Sequence, residues 1–76
     1  MQYEVIVQLK SEVLDPAGRA IKETLGRLGH QQLKDVRVGK RFVLEIEGAD
    51  SEKTIEKIAQ EYLANPVAET WQIRKL

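Results

Sequence analysis

Polar and apolar residues alternate along Tyr3-Glu4-Val5-Ile6-Val7-Gln8-Leu9-Lys10, with Tyr3, Val5, Val7 and Leu9 on one side. That period of two is the signature of a half-buried strand. Ile6 interrupts it and places one apolar group on the outer face, as a sheet covered by another subunit would show. At Leu14-Asp15-Pro16 the period changes. Asp15 suits the cap of a helix, where a side-chain oxygen accepts from free N–H groups, and Pro16 suits the first helical position, where it has no N–H to lose. The helix that follows carries Ala17, Ala20, Ile21, Leu25 and Leu28 inward and ends at Gly29, which accepts a left-handed backbone. Gly18 and Gly26 weaken this helix in isolation, so tertiary packing must hold it.

Leu33 to Val38 reads as a second strand. Phe42, Leu44 and Ile46, alternating with Arg41, Val43, Glu45 and Glu47, read as a third, which makes Gly39-Lys40 the turn of a hairpin. After Gly48, Asp50 or Ser51 caps a second helix whose Ile55, Ile58, Ala59, Tyr62 and Leu63 form the strongest helical stripe in the chain. Asn65-Pro66 stops it, because a residue before proline disfavours the α region. Val67, Trp71 and Ile73 give a fourth strand, with Glu69 an odd charge on that face. The order β-α-β-β-α-β, without linker or low-complexity segment, predicts one domain over residues 1–76. Its class is α+β: a two-layer sandwich of ferredoxin-like connectivity, an antiparallel sheet with two helices on one face.

Charge and length narrow the function. Twelve Lys and Arg balance twelve Asp and Glu in 76 residues, and the isoelectric point lies near 6.6, so the net basic footprint of a nucleic-acid binder is missing. A chain this short has a thin core that disulfides, metal or oligomerisation commonly supplement. With no Cys and one His, oligomerisation is the expected supplement. The start has no basic, apolar, small-residue leader pattern and no apolar run is long enough for a bilayer, so a cytoplasmic protein without membrane contact is expected.

The catalytic inventory is short. His30 is the one base of the usual neutral-pH kind and follows Gly29 at a helix end, where an exposed polar residue needs no chemical role. A single His does not complete a metal site. Glu45 and Glu47 share a strand face, as solvated alternation requires, and Glu52, Glu56 and Glu61 with Lys53 and Lys57 read as the wet side of the second helix. There is no glycine-rich phosphate loop, so neither cofactor nor metal is expected in this chain. Lys40-Arg41-Phe42-Val43 is superficially similar to an RNA-recognition motif, but Phe42 is its one ring, and stacking bases on a sheet takes two or three. Asp15-Pro16-Ala17-Gly18 sits where an ACT-like regulatory domain carries its ligand loop, which keeps a small ligand sensor as the alternative function.

Three blocks, in order, carry a closer resemblance: "LKSEVLDPAGRAI", "LGHQQLKDVRVGKRFVLEIEG" and "LANPVAETWQI". They resemble PurS, the small-subunit family of phosphoribosylformylglycinamidine synthase, over nearly the whole chain. The most specific pieces are Val13-Leu14-Asp15-Pro16 with Gly18, Asp35 to Lys40, and Leu63-Ala64-Asn65-Pro66-Val67. The resemblance implies a non-catalytic assembly subunit of purine biosynthesis that joins a glutaminase to a large synthetase and assists ammonia transfer between them. It also implies that ATP and magnesium belong to the synthetase. Arg37, Gly39 and Lys40 at the expected hairpin corner, with Asn65, Pro66 and Trp71, are the residues expected to dock partners, and self-association to a dimer or tetramer is expected as well.

Overall fold

The alternation of the first strand decides where the core lies. The computed structural model describes residues 1–76, and in it β1 (Gln2–Leu9) is the central strand of a three-stranded antiparallel sheet, flanked by β2 (Gly39–Glu45) and β3 (Glu69–Lys75). Val5 lies opposite Phe42 and Ile73, and Val7 opposite Lys40 and Trp71. Directly opposed residues share a face, so the apolar positions of all three strands gather on one side. Tyr3, Val5 and Val7 are almost wholly buried there.

One helix covers that side. α2 (Ser51–Ile58) lays Ile55 on it, with Ala59 just beyond, and both are fully buried. Ser51 does not spend its hydroxyl as a cap: its Oγ lies 3.0 Å from the Tyr3 hydroxyl in a buried hydrogen bond that anchors the helix start to β1. Asp50 takes the cap position without a side-chain hydrogen bond. Beyond Ile58 the helix widens into a π-type turn, Ala59–Leu63, in which the Ala64 N–H donates to the Ala59 carbonyl at 2.9 Å. Five-residue spacing breaks the 3.6-residue stripe. Tyr62, expected inward from that stripe, is accordingly 78% exposed.

The α+β reading stands, with three antiparallel strands and two helices, but two of its parts are placed differently. Residues 33–38 form no ladder, and Gly39-Lys40 is no turn; these two residues open β2, opposite Gln8 and Val7. The hairpin is therefore replaced by an unpaired approach segment that runs straight into β2. The first helix, α1 (Pro16–Arg27), forms as its signals require, with Asp15 as cap and Gly29 at φ 104°. It contributes no residue to the hydrophobic core that Ile55 and Ala59 form with the sheet. Gly18 is its one buried residue, while Ile21 and the following Leu28 are 43% and 70% exposed. The radius of gyration is 15.8 Å, where a compact chain of this length would have about 11 Å. The molecule is a small sheet-and-helix body with a helix projecting from it.

What fixes the projecting helix to the body is a close backbone approach. A Cβ on Gly18 would lie 2.1 Å from the Val36 carbonyl oxygen, whereas one on Gly26, a little over two turns along the same helix, would meet nothing within 4 Å. Gly18→Ala is thus expected to destabilise the chain by about 2 kcal/mol or more through forced separation of the two backbones. Gly26→Ala should instead stabilise it by about 0.5–1 kcal/mol through helix propensity. Denaturant unfolding of both variants at one protein concentration checks this opposite pair of signs.

Candidate functional site

The residues singled out in the sequence converge on one end of the sheet, around the base of α1. Asp15 is the hinge of the arrangement. Its Oδ1 accepts from the Gly18 N–H at 2.9 Å, the first-turn capping bond, and its Oδ2 accepts from the Val38 N–H at 2.7 Å. One carboxylate therefore ties the start of α1 to the segment that feeds β2. The Val38 hydrogen bond is the largest influence on its titration; together with the Gly18 bond and the Arg37 charge it holds the carboxyl below its ordinary pKa, against a smaller upward push from burial. Donated N–H groups favour the charged form.

Arg37 completes the junction from the other side. Its guanidinium donates to the carbonyls of Lys10 and Val13 at 2.8 and 3.1 Å, so it braces the turn between β1 and α1. Arg37, expected at a hairpin corner, instead lies exposed in the approach segment with its guanidinium tied to backbone across the junction. Gly39 is closely packed too: a Cβ there would lie 2.8 Å from the Val7 carbonyl oxygen. Lys40 follows on β2, exposed, opposite Val7. An open groove of about 710 Å³ runs past this junction, lined among others by Lys10, Glu12, Arg37 and Thr70.

Asn65 and Pro66 reach the same end of the sheet by another route. The Asn65 Oδ1 accepts from the Val67 N–H at 3.0 Å and its own N–H donates to the Glu69 Oε1 at 2.7 Å; the Asn65 carbonyl accepts from Ala68 and Glu69. Lys10 links the two groups, because its N–H donates to the Ala68 carbonyl while its own carbonyl accepts from Arg37. Pro66 is exposed and Val67 is 81% exposed at the tip of this turn. Trp71, opposite Val7 on β3, is half-buried on the covered face of the sheet beside a depression of about 340 Å³ that Tyr3 and Ile73 also line. Arg37, Gly39, Asn65 and Pro66 thus gather at one end of the sheet, while Lys40 and Trp71 flank Val7 on its covered face, Lys40 exposed and Trp71 half-buried.

Chemistry-bearing groups are scattered by comparison. His30 is exposed at the far end of α1, where its N–H donates to the Leu25 carbonyl. Glu45 and Glu47 are exposed and unpaired, and no three His, Asp or Glu side chains come together as metal ligands would. Both Asp15 oxygens are engaged within the junction, which leaves the loop of the regulatory-domain alternative without a free carboxylate. Sequence reading missed one group altogether. Glu4, on the outer face, is 4% exposed and is ion-paired to both Arg41 and Arg74.

The junction unites the two first motif blocks, and Lys10 brings in the third. A family model described as "PurS: Phosphoribosylformylglycinamidine (FGAM) synthase" matches residues 2–76. The chain belongs to the PurS family. A curated PurS-family relative from Mycobacterium leprae, described as phosphoribosylformylglycinamidine synthase subunit PurS, is 49% identical over 71 residues, which is 93% of this chain and 90% of the relative. The crystal form of Bacillus subtilis PurS superposes with a TM-score of 0.89 at 33% identity, covering 96% of this chain and 94% of that one. A chain of the structure described as PurLQS from Thermotoga maritima superposes at 0.85 with 35% identity, covering 99% and 95%. The elongated shape with a projecting helix is accordingly a PurS-family shape.

The lowered pKa of Asp15 gives a pH test of the junction. Because the folded state depresses the pKa, the carboxylate contributes stability that is fully present above the unfolded value near pH 4 and is lost as pH falls through the folded value. Asp15→Asn should therefore melt below the wild type at pH 7, and the gap should close progressively as pH falls below about 4. Thermal melts of the two proteins across pH 2.5–7 in about half-unit steps measure the gap.

Proposed function

We propose that this chain is the non-catalytic assembly subunit of phosphoribosylformylglycinamidine synthase. In this reading it holds a glutaminase subunit against an ATP-dependent synthetase in the cytoplasm, and the complex converts formylglycinamide ribonucleotide, glutamine and ATP to formylglycinamidine ribonucleotide, glutamate, ADP and phosphate. The observation that carries it is the family match over residues 2–76, joined to superposition on a chain from an assembly, PurLQS. The fold supports it physically. Its conspicuous polar groups are consumed in bracing backbone: Asp15, Arg37 and Asn65 all spend their hydrogen bonds inside the chain.

A rigid body without catalytic groups suits the task. Ammonia released from glutamine must reach the second active site before water protonates or dilutes it, so the two sites have to be held in fixed, sealed relation. In this account ATP and magnesium act in the synthetase alone. No helix here is long and apolar enough to cross a membrane. Self-association belongs to the same reading, because α1 leaves Ile21 and Leu28 uncovered, together with Leu14 at 65% exposed. An apolar helix face held away from its own body is stabilised when another copy covers it.

Two outcomes follow. The isolated chain should hydrolyse neither glutamine nor ATP, and leaving it out of a reconstituted complex should depress glutamine-dependent synthesis far more than synthesis from added ammonia, which needs no transfer between sites. Equal loss of both activities contradicts the transfer role. In light scattering on a sizing column the chain should have at least the mass of a dimer. Ile21→Asp combined with Leu28→Asp should lower that mass while preserving the circular dichroism of the sheet body; a monomeric wild type at micromolar concentration contradicts the account of α1.

A further inference from the structure

The outer face of the sheet has no helix over it, yet it contains the most buried carboxylate of the chain. Glu4 sits on the central strand with Arg74 directly opposite on β3 and Arg41 one pair along on β2. The two arginines close over it from both sides. Arg41 gives its Nε to one carboxylate oxygen, and a terminal nitrogen of Arg74 lies 3.2 Å from the other. The Glu4 side chain is 5% exposed, whereas those of Arg41 and Arg74 are 57% and 71% exposed.

One arginine is enough to neutralise Glu4, so the second leaves a surplus positive charge. Each guanidinium also keeps unused N–H donors, because Arg41 commits only its Nε and Arg74 a single terminal nitrogen. Glu4 hydrogen-bonds the Arg41 guanidinium and ion-pairs with that of Arg74, and the planar forks gathered over it match the geometry of an incoming carboxylate. The surroundings suit protein contact: Val43 is 48% exposed beside the triad, and a depression of about 470 Å³ lined by Ile6 and Gln72 adjoins Arg74. The face's other charge, Glu45, lies one pair beyond Glu4 toward the sheet's end, opposite Gln2.

We propose that this outer face is a docking surface for a different, acidic protein subunit, one of whose surface carboxylates binds between Arg41 and Arg74. Charge disfavours a second copy stacked triad on triad, because that arrangement brings four arginines together and like charges across an interface repel. The inference rests on the assembly reading and deepens it by assigning a face and a chemistry to partner binding, separate from the α1 surface assigned to self-association.

The test is binding of the full chain to the reconstituted glutaminase–synthetase pair, with sizing-column mass measured in parallel. Arg41→Ala and Arg74→Ala, each of which leaves one arginine on Glu4, should each weaken binding about tenfold or more, flatten its dependence on salt, and leave self-association unchanged. Because a lone truncation can disturb folding, the triple variant Glu4→Gln, Arg41→Ala, Arg74→Ala removes the whole triad without leaving a buried charge, and the same loss of binding is expected from it. Normal binding by the triple variant overturns the proposal, as does a fall in self-association mass, which would make the face a contact between copies. Failure of the wild type to bind the pair at all would instead overturn the assembly reading and this surface with it.

Discussion

Everything distinctive about this chain depends on one carboxylate. Asp15 satisfies an orphan N–H at the start of α1 through Gly18 and, with its other oxygen, the N–H of Val38. Charged capping at a helix N-terminus is favourable in itself, but here the same group also replaces the missing ladder of the approach segment, whose Val38 N–H has no strand partner. The junction leaves room for no side chain at position 18, and Gly18 passes against the Val36 carbonyl. Arg37 then braces the preceding turn. Together these contacts set the direction in which α1 leaves the body, and so which surface the molecule offers to its neighbours.

The locally determined parts of the fold were legible in the sequence. Alternation located β1, and its inward set Tyr3, Val5 and Val7 became the buried core. Asp15-Pro16 and Gly29 marked both ends of α1, as capping and left-handed backbone require. The second helix was visible in its stripe, although nothing in the residues announced the π-type turn that releases Tyr62. The hairpin was misread for a physical reason: Leu33, Val36 and Val38 are compatible with a strand, but pattern cannot tell whether a backbone N–H meets another strand or a distant carboxylate. Gly39 offered a turn signal and serves instead for close approach to Val7.

Surface assignments were harder because they depend on register. Glu4 looked like an ordinary outward position in an alternating strand, and only the pairing of β1 with both β2 and β3 brings Arg41 and Arg74 over it. The motif blocks fared better. The pieces carrying the family resemblance proved to be those that build the junction and the Asn65 turn beside it, which places their importance in holding shape. Such a division suits a subunit that works by geometry: an inner face closed by its own helix, a projecting helix with uncovered apolar groups, and an outer face on which two arginines gather over one carboxylate.

The claim that the Asp15 carboxylate joins α1 to the approach segment is tested most directly by amide hydrogen exchange. The account predicts that the Val38 and Gly18 amides are protected in the wild type, and that Asp15→Asn releases Val38 while leaving the amides of β1, such as Val5, protected. Exchange of the wild-type Val38 amide at the rate of an unstructured chain would contradict it.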